Sequence, residues 1–143
     1  MEWSTIRSQA DIDTLMKMYG GFHDSCITGI QYENGNQVDD SRAMSWGSKE
    51  QFKLVMSLQR QGIPRDLELC FTGLRRINLS GCDTRFFSMM DCFLSFWGPY
   101  IVWADGECFD PAHPVKEGQL TGDMYTFVVA DRLQWRFTTE NRK

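Results

Sequence analysis

The segment SQADIDTLMKMYGGFHDSCITGIQY, residues 8–32, contains the change of periodicity that decides the fold. Ser8 with Asp11 three positions later resembles a capping box, which marks the start of a helix. Gly20-Gly21 ends the helical pattern, since glycine readily adopts the left-handed backbone found after many helices. The sequence therefore predicts a helix over residues 9–19. Its apolar stripe consists of Ile12, Leu15, Met16 and Tyr19.

Beyond Asp24 the apolar residues alternate with a period of two, which is typical of a β-strand. Asn34-Gly35 follows this strand and is a strong signal for a β-hairpin. We therefore expect the partner strand of the hairpin over residues 37–46. One side of the first strand is expected to carry Cys26, Thr28, Ile30 and Tyr32, with Ile27 on the other side.

Further strands follow, joined mainly by short turns. Trp97-Gly98-Pro99-Tyr100 is typical of a tight connection, residues 80–83 of a turn, Asp131-Arg132 of a turn or bulge, and residues 105–122 of a polar loop. One helix and about eight strands, without alternation of the two, disfavour a parallel doubly wound sheet. We expect an α+β fold in which the N-terminal helix packs on a strongly bent, mainly antiparallel sheet or partial barrel. The remaining predicted strands cover residues 52–59, 67–71, 74–79, 86–97, 100–104, 124–130 and 133–137.

The composition indicates one globular domain over residues 1–143. Hydrophobic residues make up 42% and charged residues 24%, and the chain is long enough to bury a core without disulfides or metal. The formal charge of −4 argues against general binding of nucleic acid or anionic membranes. No stretch approaches the roughly 20 apolar residues that span a bilayer, and the start lacks a signal-peptide core. We therefore expect a cytoplasmic protein without a membrane partner.

The cysteines support this compartment. They are odd in number and lack a C-x-x-C pair, so we expect reduced and mostly buried thiols. Common nucleotide-binding, phosphate-binding and zinc-protease motifs are absent from the sequence, and neither a cofactor nor a metal is predicted. The cysteines are Cys26, Cys70, Cys82, Cys92 and Cys108.

His23 and Asp24 form the first candidate site, because they lie at the junction between the helix and the first strand. His23 has the chemistry of a base or a metal ligand, and Asp24 that of an orienting or coordinating group. The alternative is structural: either side chain could hydrogen-bond backbone at the end of the helix and fix the direction in which the strand begins.

The second candidate site is the segment from Tyr100 to Pro114. Its side chains offer four oxygen or nitrogen ligands in nine residues, but the spacing fits neither an EF-hand nor a zinc site. The open alternatives are a solvated loop, a protein-contact surface and a metal site. Trp103 precedes these ligands and could belong to the core or to an interface. The ligand-type residues are Asp105, Glu107, Asp110 and His113.

Three short motifs carry a resemblance to a known class of proteins. These are the turn Phe22-His23-Asp24-Ser25 after a helix, the aromatic-Trp-Ala-Asp segment from Tyr100 to Asp105, and the closing Leu133-Gln-Trp-Arg136. In this order they resemble small bacterial helix-plus-sheet proteins, some of which are predicted immunity proteins of polymorphic toxin systems. The resemblance implies a compact, non-enzymatic binder that blocks a cognate protein toxin. The charge of −4 would suit a basic nuclease toxin.

On this hypothesis the toxin contacts exposed acidic and aromatic residues, and no residue is catalytic. The alternative hypothesis is a small-ligand or metal-binding domain, with or without enzymatic activity, whose site lies at the mouth of the curved sheet. A homodimer formed through a sheet edge or a Trp patch is compatible with either. The expected binding residues are His23, Asp24, Trp103, Asp105, Glu107 and Asp110. The alternative site combines His23, Asp24, Asp105 and His113.

Overall fold

The computed structural model describes residues 2–80, 89–115, 118 and 125–138. Within these residues the chain forms one α-helix and nine β-strands, with short 3-10 turns at Gly20–Phe22 and Lys49–Gln51. The elements in chain order are β1 (Ser4–Thr5), α1 (Gln9–Met18), β2 (Ser25–Glu33), β3 (Gln37–Val38), β4 (Met44–Ser45), β5 (Lys53–Arg60), β6 (Asp66–Asn78), β7 (Phe93–Trp97), β8 (Tyr100–Ala104) and β9 (Phe127–Phe137).

Seven of the strands form one antiparallel sheet in the order β2-β5-β6-β9-β8-β7, and β1 pairs with the C-terminal part of β9. The other two strands, β3 and β4, pair only with each other. The sheet is bent but does not close into a barrel. The predicted α+β class, with a helix followed by a bent antiparallel sheet, is therefore confirmed. No helix in the described part of the chain is long and apolar enough to cross a membrane.

The helix forms where the sequence predicts it, apart from its last residue. The side chain of Ser8 accepts the Asp11 amide, and the Asp11 carboxylate accepts the Ser8 amide in return. This capping box satisfies amides that would otherwise lack a helical partner. Tyr19, the last predicted helical residue, caps the C-terminus instead, and its ring is completely buried.

The sheet has apolar side chains on both faces. One face and α1 enclose the main core, which includes Leu15, Phe71 and Trp103. A smaller cluster of Val102, Ala104, Phe109 and Phe127 occupies the other face, where the segment after β8 covers the sheet. Because successive side chains of a strand point to opposite faces, β8 contributes to both clusters.

The prediction that residues 37–46 form the hairpin partner of β2 is wrong. β2 pairs with β5, with Glu33 opposite Lys53, and residues 34–52 form an excursion between the two strands. β5 is the better partner because Leu54, Met56 and Leu58 alternate and bury completely on one face, whereas the segment 37–46 has no such face.

The predicted faces of β2 also need correction. A register shift between Ile27 and Gly29 lets Ile27 and Ile30 both pack against the core, although strict alternation places them on opposite sides. A β-bulge adds one residue to a strand and thereby changes which side chains face inward beyond it.

β6 and β9 are longer than predicted. β6 continues through residues 72–73, which separated two predicted strands, and β9 continues through Asp131-Arg132. The turn or bulge predicted at Asp131-Arg132 is not found there. The irregularity in this strand pair is a register shift in β6, between Leu74 and Arg76. The tight turn at residues 97–100 is confirmed by the pairing of Trp97 with Tyr100. The predicted strand 86–97 is too long, because β7 begins at Phe93 and residues 89–92 contribute only an isolated bridge at Met89. Residues 86–88, residues 81–83 of the predicted turn and most of residues 116–124 lie outside the described residues.

Candidate functional site

The His23-Asp24 turn connects the start of β2 with the chain that leads into β7. His23 Nδ1 lies 2.7 Å from the Met90 carbonyl oxygen, and its Nε2 lies 3.3 Å from the Asp24 carboxylate. The Asp24 amide donates to the Met89 carbonyl at 3.0 Å. These contacts support the structural role that the sequence offered for this turn. The backbone that His23 contacts, however, belongs to the distant segment at Met90 and not to the end of the helix.

Trp103 lies in the core and not on a contact surface. Its side chain is completely buried, and its ring centroid lies 6.1 Å from that of Phe22. The indole N–H has no hydrogen-bond partner among the described residues. Burial raises the pKa of the neighbouring Cys92 thiol to about 12, although its contact with Trp103 opposes the shift. The expectation that Trp103 faces a partner is corrected, because no part of the indole reaches solvent.

Asp105 is partly buried beside the small cluster. Its carboxylate accepts the Thr126 amide at 3.1 Å, and its own amide donates to the Thr126 carbonyl at 3.0 Å. Burial raises the pKa of Asp105 to about 6, and the hydrogen bond from Thr126 opposes part of this shift. Asp105 therefore joins the segment after β8 to the start of β9.

The other two predicted contact residues lie on the exposed loop that follows. The Glu107 amide donates to the Asp91 carboxylate at 2.8 Å, while the Glu107 side chain itself is exposed. The Asp110 carboxylate accepts the Ala112 amide and lies 3.1 Å from His113 Nδ1, and both contacts lower its pKa. These bonds stabilise the local turn, as in many solvated loops.

The metal version of the alternative site is not found. His23 pairs with Asp24, and His113 pairs with Asp110. Within the described ranges, no three His, Cys, Asp or Glu side chains come close enough to hold a metal ion together. A small-ligand site that combines His23, Asp24, Asp105 and His113 stays a prediction.

A different surface stands out from the structure. Residues 34–47, which we call the arm, contain β3 and β4 and project from the edge of the sheet with almost every side chain exposed. Val38 and Met44 are opposed across the ribbon, and Trp46 follows Met44 by two positions. Because directly opposed residues of an antiparallel pair point to the same face, Val38 and Met44 share one face, and Trp46 lies just beyond the end of β4. Their exposed fractions are 60%, 64% and 73%, and Tyr32 beside the arm is 53% exposed.

Hydrogen bonds define both ends of the arm. At the tip, one oxygen of Asp39 accepts from the Ser41 amide, the Ser41 hydroxyl and the Ala43 amide, and the Ser41 and Ala43 bonds lower the pKa of Asp39. At the base, Asn36 accepts the Gly47 amide at 2.8 Å. Gly47 is required there, since an added Cβ would lie 1.7 Å from a backbone oxygen.

The 3-10 turn at the foot of the arm is tied to the sheet through Asp131. The Asp131 carboxylate lies 3.3 Å from Lys49 Nζ and accepts two hydrogen bonds from Arg75, and these cations lower its pKa. A shallow polar cleft of about 310 Å³ lies between this turn and the sheet. Of its two cations, Lys49 is paired with Asp131 and Arg132 donates to the Thr5 hydroxyl at 3.3 Å, so we assign no ligand to the cleft. The cleft is lined by Lys49, Glu50, Thr72, Gly73, Asp131 and Arg132.

Comparison with known protein families, curated proteins and solved structures finds no match to this chain. The site must therefore be judged from its own geometry. Sequence reasoning missed the arm because it assigned residues 37–46 to the sheet. The available signal was the presence of a few large apolar residues in a segment made mostly of polar and small residues, Asp, Asn, Ser, Gly, Gln, Arg and Ala, which cannot contribute a buried strand face.

Proposed function

We propose that this chain is a non-enzymatic protein-binding protein, and that the apolar face of the arm contacts its partner. The observation that carries the proposal is the exposure of Val38 and Met44 on one face of a projecting ribbon, with the exposed Trp46 directly after it. The resemblance of the Phe22–Ser25 turn and the Tyr100–Asp105 segment to predicted immunity proteins favours a toxin as the partner.

The energetics of the arm favour a bound partner. An isolated two-stranded ribbon is marginally stable in water, and within the described residues β3 and β4 pair only with each other and leave their apolar side chains exposed. Burying one large apolar side chain in an interface contributes about 1.5–3 kcal/mol. Trp and other large side chains at the centre of an exposed apolar patch are the usual sites of high binding energy. The arm thus has the composition of an interface centre.

The charges near the arm favour a partner with a basic rim. Glu33 at the end of β2 and Asp39 and Asp40 at the tip are exposed carboxylates that outnumber the one cation of the arm, Arg42, and the whole chain carries a formal charge of −4. Opposite charge around an apolar contact increases the association rate and disfavours acidic partners. A toxin that acts on nucleic acid has this type of surface, because it must contact phosphates.

The test compares capture by the wild-type chain and by a double variant, Met44→Ser with Trp46→Ser, from lysate of the source organism. Ile63→Ser is the matched control, because Ile63 is also an exposed large apolar residue, 67% exposed, but lies after β5, at the end of that strand away from the arm. We expect one near-stoichiometric protein that the wild type and Ile63→Ser retain and the double variant loses.

The captured protein must then be purified, and its toxic activity measured with and without this chain. Inhibition at a one-to-one ratio, lost with the double variant, is the result expected of an immunity protein. Equal capture by all three chains would exclude the arm as the contact. A selectively captured protein whose activity is unchanged would leave a binding protein that is not an immunity protein.

A further inference from the structure

We propose that β7 pairs with β7 of a second copy of this chain, antiparallel and centred on Ser95. This surface is separate from the arm and does not rest on the proposed function. β7 is the last strand in the sheet order and, within the described residues, pairs only with β8. Its sequence, Phe93-Leu-Ser-Phe-Trp97, contains no charge, no proline and no glycine.

The register of the β7–β8 hairpin shows which backbone groups face outward. A two-residue turn makes Trp97 and Tyr100 a hydrogen-bonded pair, and hydrogen-bonded pairs then alternate with non-bonded pairs along the ladder. Phe93, Ser95 and Trp97 therefore bond to β8. The amides and carbonyls of Leu94 and Phe96 therefore point away from the sheet. Of these groups, the Phe96 carbonyl accepts a hydrogen bond from the Ser95 hydroxyl at 3.1 Å.

The composition of β7 differs from that of protected edges. Natural sheets discourage edge pairing with charged side chains, proline or bulges. β2, at the other end of the sheet order, has a bulge after Ile27 and ends at Glu33, and its first residue is bridged to Met89. β7 has no charged side chain, no proline and no bulge, and it carries two exposed aromatic residues. Phe96 and Trp97 are 38% and 47% exposed.

The strand is complementary to its own two-fold copy, which is the reason for choosing a second copy as the occupant. With Ser95 opposite the partner's Ser95, the outward groups of Leu94 meet those of the partner's Phe96, and four backbone hydrogen bonds can form. Trp97 then lies opposite the partner's Phe93 on one face, an aromatic cross-strand pair. Because β7 is uncharged, no like charges oppose each other in this register.

A single cysteine tests this register directly. Ser95 would form a non-hydrogen-bonded pair with the partner's Ser95, with Cα atoms about 4.5 Å apart, which suits a disulfide. Under mild oxidation we expect Ser95→Cys to give a covalent dimer as the main product. Thr28→Cys, at an exposed position on the opposite edge strand, should give only the background level that the native thiols of the wild type set.

Sedimentation equilibrium across a concentration series tests the unmodified interface. We expect the wild type to dimerise and Trp97→Lys to weaken the dimer at least about tenfold, because it replaces an aromatic pair with a charge. Trp46→Ser should leave the dimer intact, which separates this proposal from the arm; circular dichroism confirms that each variant is folded. The proposal would be overturned if the wild type stays monomeric and Ser95→Cys gives only the background yield of covalent dimer. It would also be overturned if Trp46→Ser loses the dimer while Trp97→Lys retains it.

Discussion

Ser25 and Met89 form an antiparallel bridge between segments that belong to opposite ends of the sheet order. The Met89 amide donates to the Ser25 carbonyl at 2.8 Å, and His23 contacts the next residue, Met90. The sheet is thus bent far enough for its first strand to touch the chain that leads into its last strand. This relationship gives the His23-Asp24 turn a clear structural role.

Ser25 should be important for stability beyond its backbone bridge. Its side chain is completely buried, and its hydroxyl donates to the Phe22 carbonyl at 2.5 Å. Ser25→Ala removes this donor in a place that water cannot reach, so we expect the free energy of unfolding to fall by about 1–2 kcal/mol. Urea denaturation measures the change. Thr28→Ala is the control, because its hydroxyl makes a similar bond in an exposed position and its loss should cost less than about 0.5 kcal/mol.

Asp105 should make the protein less stable as the pH rises through the weakly acidic range. Burial raises the pKa of Asp105 to about 6 in the folded chain, above its ordinary value of 3.8. The folded state therefore binds a proton more readily, and the associated stabilisation is present below about pH 4 and lost as the pH rises through about 6.

Asp105→Asn provides the matching variant. Asparagine keeps an oxygen that can accept the Thr126 amide but carries no charge. At pH 7 we expect the variant to be more stable than the wild type by about 1–3 kcal/mol, with a smaller difference at pH 4. Thermal denaturation of both proteins from pH 4 to pH 7 measures this. A variant that is less stable at every pH would show that the carboxylate is needed for more than the Thr126 bond.

The helix could be predicted from sequence because its signals are local. The Ser8–Asp11 capping box, the apolar stripe and Gly20-Gly21 lie within a few residues of the contacts that they make. The partner of β2 could not be predicted in this way, since Asn34-Gly35 indicates only that the chain turns. The choice of β5 depends on how much apolar surface each candidate strand buries against the rest of the fold.

The candidate site shows the same limit. His23 was identified by its position at a junction, but its contact with Met90 spans 67 positions in the sequence. Trp103 illustrates the opposite case, because an aromatic residue next to an acidic loop has the same sequence pattern whether it is buried or exposed. Alternation along β8 restricts Trp103 to one face, but only the packing of α1 on that face shows that it is buried.

Gly73 should be a required glycine at the foot of the arm. Its φ of +64° lies in the left-handed region, and an added Cβ would lie 2.4 Å from Oδ2 of Asp131. Gly73→Ala must displace the Asp131 side chain from Lys49 and Arg75, and we expect the free energy of unfolding to fall by about 1–3 kcal/mol. Gly29→Ala is the matched control, because its Cβ would enter open space on another strand without a positive φ. Equal losses in the two variants would contradict a specific role for the Gly73–Asp131 contact.

The cysteines should differ sharply in reactivity. Burial raises the pKa of Cys92 to about 12 and leaves its side chain almost inaccessible, whereas Cys108 is exposed on the loop after β8. The thiolate is the reactive form, so a buried thiol with a raised pKa reacts slowly even when a reagent reaches it. We expect iodoacetamide at pH 8 to label Cys108 in the folded protein and Cys92 only after unfolding, as read by peptide mass spectrometry. Cys108→Ser is the control, and it should remove rapid labelling of the peptide that contains position 108. Rapid labelling of Cys92 in the folded protein would mean that α1 and β7 separate often enough to expose the core around Trp103.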